Sequence, residues 1–172
     1  MVLPSITSRR PTVHHFHPLA FILVPLIALI VQASLPTYHN VASVLNLPLL
    51  VVIYFAFSSR SPGAGLVMGL LIGLVQDSLS GEPIGLSGIA NTIIGYSASL
   101  VGLRMDTETG ILRFIIVFVF YNLYLLFRFI LGSVLPGITF EPALAGSLVA
   151  ALVNGIIGMI LFELLDRFRK PA

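Results

Sequence analysis

Residues 63–102 read GAGLVMGLLIGLVQDSLSGEPIGLSGIANTIIGYSASLVG, a stretch that joins membrane-grade hydrophobicity to an unusual density of glycine. Gly65, Gly69 and Gly73 recur every four positions, so on an α-helix they form one narrow stripe along which a second backbone can approach closely. Asp77 is the next member of the series. A carboxylate on a packing stripe, away from lipid, is where a costly intramembrane charge belongs. Ser80-Gly81-Glu82-Pro83 then breaks the helix, and Gly85, Ser87 and Gly88 open a second apolar run over 89–103 that carries Asn91 and Gly95. The stretch predicts a tightly packed transmembrane hairpin.

The rest of the chain agrees with a membrane setting. Of its 172 residues 57% are hydrophobic and 9% charged, whereas soluble domains carry about 25% charged residues. Mean hydropathy is +1.04. The formal charge of +2 rests on nine Lys and Arg against seven Asp and Glu, so their positions say more than their balance. Nothing resembles a nucleic-acid footprint. The absence of cysteine removes disulfides, thiol catalysis and thiolate metal sites together.

Residues 1–18 are polar, basic and proline-punctuated, which describes a short cytoplasmic tail. Apolar runs follow over 19–34, 41–57, 62–80, 89–103, 111–135 and from Glu141-Pro142 to about Leu165, with a basic tail over 166–172. The first run with its basic leader could mimic a signal peptide, yet no secreted domain follows it. Each run approaches the ~20 residues needed to cross ~30 Å of hydrocarbon, which predicts an all-α bundle of six transmembrane helices over 19–165. Both termini in the cytoplasm would put Arg9, Arg10, Arg60, Arg104, Arg113, Arg167, Arg169 and Lys170 inside.

Polar residues within the runs are few. Gly146, Ala150, Asn154 and Gly158 repeat the four-residue stripe in the last helix, a weak hint of an inverted repeat. Gln76, Asn91, Asn122 and Asn154 are expected to hydrogen-bond between helices. Asp77 and Arg128 each lie fifteen residues beyond the start of their helices at Pro62 and Arg113, about 22 Å at 1.5 Å per residue, so a pairing of the two is expected. Glu82 and Glu141 are rival partners for Arg128. His14, His15 and His17 lack carboxylate or thiolate neighbours to complete a metal site. No catalytic residue, cofactor site or metal site is predicted, because no HExxH, GxSxG, Walker-type or paired intramembrane carboxylate motif is present.

At Leu47-Pro48-Leu49, and much more at Gly73-Leu74-Val75-Gln76-Asp77-Ser78-Leu79-Ser80-Gly81, Pro83-Ile84-Gly85-Leu86-Ser87-Gly88 and Gly95-Tyr96, the chain resembles the bacterial rod shape-determining protein MreD family. The motif match covers residues 47–104. The resemblance implies a non-enzymatic scaffold of the cell-elongation and peptidoglycan-synthesis machinery in the inner membrane. Its implied partners are the bitopic protein MreC, a RodA-type glycosyltransferase with its penicillin-binding transpeptidase, MreB filaments at one remove, and membrane lipid. It also implies a fold similar to the substrate-capture subunits of energy-coupling-factor transporters, which raises a small-molecule or lipid carrier as the alternative. Helix-packing or interaction roles are expected for Gly65, Gly69, Gly73, Asp77, Gly85, Asn91, Arg128 and Asn154.

Overall fold

A computed structural model of the chain describes residues 19–34, 44–105, 109–134 and 144–167. They form six α-helices: α1 Ala20–Ser34, α2 Leu47–Ser59, α3 Pro62–Ser80, α4 Leu86–Gly102, α5 Gly110–Val134 and α6 Leu144–Asp166. The all-α architecture and the helix order match expectation. The number of crossings does not. Three helices are long and apolar enough to span a bilayer: Pro62–Ser80, Gly110–Val134 and, within α6, Gly146–Asp166, of 19, 25 and 21 residues. The others have 15, 13 and 17 residues, and at 1.5 Å per residue the shortest reaches only about 20 Å. Six transmembrane helices is therefore corrected to six helices of which three qualify as spans. Both ends on one face, expected from the positions of Arg and Lys about six crossings, needs an even number of spans and falls with that count. The tails 1–18 and 168–172, the histidines at 14, 15, 17 and 39, and Glu141 lie outside the described residues.

α2 is short because it starts deep. A helix over 41–57 was expected, but Asn46 caps it, its Oδ1 accepting the Leu49 N–H at 3.2 Å, and Pro48 sits in the first turn where its missing donor costs nothing. Every residue of α2 from Pro48 to Phe57 is buried. A helix apolar on all sides has to be enclosed on all sides, and the other five helices do this. Phe55 meets Phe21 of α1, with ring centroids 4.8 Å apart. Val52 clusters with Leu29 of α1 and Ile72 of α3. Tyr54 meets Phe162 of α6 edge-on at 5.0 Å. The Ala56 carbonyl accepts Ser99 Oγ of α4 at 2.9 Å. Tyr121 of α5 donates to the Val44 carbonyl at 3.2 Å, just ahead of the helix.

α3 and α4 are antiparallel and share the closest contact in the fold. Along the α3 stripe, a Cβ added at Gly65 would collide with Ser99 Oγ and the Gly95 carbonyl, one at Gly69 with the Asn91 carbonyl, and one at Gly73 would lie 2.6 Å from Gly88 Cα. Backbone meets backbone along most of the helix, so glycine is required by approach. Replacing Gly69 or Gly73 with Leu should cost about 1–3 kcal/mol by forcing α3 and α4 apart. Gly63→Leu, whose Cβ would meet nothing within 4 Å, is the matched control. Thermal unfolding in detergent checks this: equal melting of all three variants would show that the stripe is not a packing surface.

Candidate functional site

Asp77 is fully buried at the end of α3. Its carboxylate does not meet Arg128. Oδ2 accepts the Gly85 N–H at 2.8 Å and the Gly88 N–H at 3.1 Å, and Oδ1 accepts the Ser87 N–H at 2.9 Å. These are the free donors at the start of α4, whose own cap residue, Gly85, has no side chain to supply an acceptor. One helix thus caps the next. The α4 dipole favours a negative charge there, and charge-assisted bonds to three amides offset the desolvation of the carboxylate. The backbone of Asp77 closes its own helix too, its carbonyl accepting the N–H groups of Gly81, in the left-handed conformation at φ 66°, and of Glu82.

Arg128 pairs with Glu82, the rival named above: its Nη2 donates to Oε1 at 2.6 Å and its Nη1 to Tyr124 Oη at 3.1 Å. Tyr124 Oη lies 3.3 Å from Ser87 Oγ, so the two expected partners are joined through Ser87 and Tyr124 and not by contact. The physical reason is that four bonds from three backbone N–H groups, including a second from Ser87 at 3.1 Å, already occupy Asp77. The direct pairing expected for Asp77 and Arg128 is therefore not made.

A second network lies behind Asp77. Asn91 Nδ2 of α4 donates to Gln76 Oε1 of α3 at 3.2 Å, and Gln76 Nε2 to Asn46 Oδ1 at 3.3 Å. The Asn46 N–H donates to Asn154 Oδ1 of α6 at 2.9 Å, and Asn154 Nδ2 donates at 2.8 Å to the carbonyls of Val44 and Ala150. From α1, Gln32 Nε2 donates to the Leu45 carbonyl at 2.8 Å, and its Oε1 accepts the Leu47 N–H at 3.0 Å. Non-helical backbone over 44–46 is tolerated in this bundle because side chains from α1, α5 and α6 satisfy it.

At the opposite end Arg113 Nη2 pairs with Asp166 Oδ2 at 2.6 Å, and Tyr54 donates to Asp166 Oδ1 at 3.0 Å. Asn122 bonds within its own helix, to the Phe118 carbonyl at 2.7 Å, contrary to its expected interhelical role.

Sequence reasoning brought Asp77, Gln76, Asn91 and Asn154 forward but passed over Asn46, Gln32 and Asp166. Asn directly before Leu-Pro is a readable cap-and-first-turn signature. Gln32 and Asp166 carry no such local signal, since both act on backbone or side chains distant in sequence. Among the described residues no cluster of three metal-ligating side chains occurs.

Fold and site together define a polytopic helical membrane protein whose buried polar groups fasten helices to one another. The family model of the rod shape-determining protein MreD matches residues 13–168, and the chain belongs to that family. It is a non-enzymatic membrane scaffold of the bacterial cell-elongation machinery and associates with that complex. No curated protein and no solved structure matches it, so the likeness to energy-coupling-factor subunits gains no support from these comparisons.

The Glu82–Arg128 pair, in direct contact, should couple more strongly than the Asp77–Arg128 pair, which is linked only through Ser87 and Tyr124. In double-mutant cycles with Glu82→Gln, Asp77→Asn and Arg128→Gln, we expect about 1 kcal/mol of coupling for the first and about 0.5 kcal/mol for the second. Asp77→Asn alone should cost about 1–3 kcal/mol, because an amide presents donors to donors. Thermal stability in detergent reads all of them; a larger coupling for Asp77 with Arg128 than for Glu82 with Arg128 would reverse the assignment.

Proposed function

We propose that this chain serves the elongation machinery of the inner membrane as a rigid platform. A bitopic MreC-like protein docks on it, and through that contact it joins a RodA-type glycosyltransferase, its transpeptidase and, at one remove, MreB filaments. Residues 19–165 form the platform, with 1–18 and 166–172 as its flanking tails. In this reading Gly65, Gly69, Gly73, Gly85, Asn91 and Asn154 set the shape of the bundle, and Asp77 and Arg128 fix the turn between α3 and α4.

The observation that carries the reading is that turn. Asp77 holds its backbone at Gly85, Ser87 and Gly88, and Arg128 holds Glu82. Between these clamps Ile84 is 75% exposed. An apolar side chain on a pre-ordered turn loses little conformational freedom on binding, which is what a docking anchor requires.

The test is Ile84→Glu in cells that carry the MreC-like partner. We expect unchanged accumulation in the membrane, at least a tenfold drop in co-purified MreC-like protein, consistent with an anchor worth about 1–2 kcal/mol or more, and rounded cells. Undiminished co-purification with normal rods would show that the turn only touches lipid or solvent.

A further inference from the structure

The midpoint of α5 carries a polar group that the fold only half employs. Asn122 lies twelve residues from each end of Gly110–Val134, about 18 Å from either by helical rise, at mid-depth of the bilayer. It sits across the helix from the buried face formed by Ile116, Val117, Phe120, Tyr121 and Tyr124. Its Nδ2 bonds back to the Phe118 carbonyl, and among the described residues its Oδ1 accepts no hydrogen bond. Hydrocarbon offers that oxygen nothing. The exposed faces of α1 and α6 differ at this depth, presenting Ile22, Leu26 and Ile30, and Leu152, Ile156 and Ile160.

The residues around Asn122 define the kind of partner. Ile111, Ile115, Phe118, Asn122, Leu125 and Phe129 are spaced by four, three, four, three and four. That is the a/d seam of a heptad helix, with Ile115, Asn122 and Phe129 at successive a positions. Ile111, Ile115 and Phe129 are 72%, 47% and 41% exposed, while Phe118, Asn122 and Leu125 between them are half-buried and Phe118 and Leu125 also touch the core, so the seam is open at its ends and partly covered at its middle.

We propose that this seam is the interface of a symmetric dimer of the chain, with α5 packed against α5 of a second copy and Asn122 against its counterpart. Two copies inserted in the same sense are related by a two-fold axis along the bilayer normal. Their α5 helices then run parallel, and parallel heptads bring a against a. A carboxamide is both donor and acceptor, so each Asn122 gives its second Nδ2 hydrogen to the other's Oδ1 and both oxygens are satisfied. A partner of different sequence would need its own polar residue at one particular depth, whereas the second copy supplies it by symmetry. A single asparagine at an a position also fixes register.

Because the chain has no cysteine, the test uses the full-length protein in its native membrane with one introduced at a time. Ile115→Cys and Phe129→Cys should give disulfide-linked dimers on mild oxidation, at least tenfold more than Leu26→Cys on α1 or Ile156→Cys on α6. Adding Asn122→Ala to the Ile115→Cys chain should weaken dimer formation about five-fold, the combined effect of losing both symmetry-related interhelical hydrogen bonds in a membrane, and Asn122→Gln should restore most of it. Cross-linking no stronger at the seam than at the controls makes the face a lipid contact and overturns the proposal. So does cross-linking of the seam to a different protein in place of a second copy, or a dimer indifferent to Asn122→Ala while that variant accumulates normally.

Discussion

The bundle depends on one buried carboxylate capping a helix to which it does not belong. Asp77 is inaccessible to solvent and would be expensive in hydrocarbon if it met nothing. Facing it with the first amides of α4 converts that cost into a geometric requirement, since the bonds exist only when the end of α3 and the start of α4 meet at one distance and angle. The glycine stripe makes the requirement attainable. With Cβ atoms at Gly69 and Gly73 the two backbones could not come together closely enough for the carboxylate to reach. Carboxylate and stripe are two parts of one device, at the end and along the length of the same helix pair.

That device in turn gives α2 its place. α4, held against α3, offers Ser99 to the Ala56 carbonyl and lets Gly102 sit against the carbonyl of Phe57. A helix of thirteen residues cannot cross a bilayer on its own, and this one has no lipid-facing side to hold it in place. Enclosure by five neighbours replaces lipid contact. The deep, irregular backbone at its start is acceptable only because Gln32, Asn154 and Tyr121 reach it from three other helices. A loss in any of them leaves a buried peptide group unpaired, at about 1–3 kcal/mol.

Much of this was legible in the sequence, and the limits have physical causes. Helix positions followed from apolar runs and proline-glycine punctuation, and the stripe followed from a spacing of four. The ends of α2 were misjudged because hydropathy reports that 41–46 is apolar enough for helix, while the boundary is set by the Asn46 side chain and by bonds to residues far along the chain. Counting crossings failed because hydropathy registers an apolar run without fixing the length of helix it forms: α1, α2 and α4 have only 15, 13 and 17 residues, and α2 is core besides. For Asp77 the sequence supplied a depth, and depth alone offered Arg128 as a partner. The glycine that begins α4 was the better guide, because a cap residue without a side chain leaves the first amides of α4 to an acceptor from elsewhere.

The few carboxamides of the interior are bonded mostly to one another, with Asn91 Oδ1 a buried exception that has no partner among the described residues. Asn91, Gln76, Asn46 and Asn154 form a relay of carboxamides, groups that neither ionise near neutral pH nor attack a carbonyl. Their directional bonds restrict the helices to one arrangement where apolar packing alone would tolerate several. A bundle fixed in this way can act only through the surfaces it holds steady. Those surfaces differ in kind: Ile84 stands exposed on a turn clamped by Asp77 and Arg128, whereas the half-buried Asn122 stands at the middle of a spanning helix and bonds only within it among the described residues. In the proposed assembly the turn would meet a partner at the end of the bundle and the α5 seam a second copy in the plane of the membrane, and the interior network would hold these two surfaces in a fixed relation.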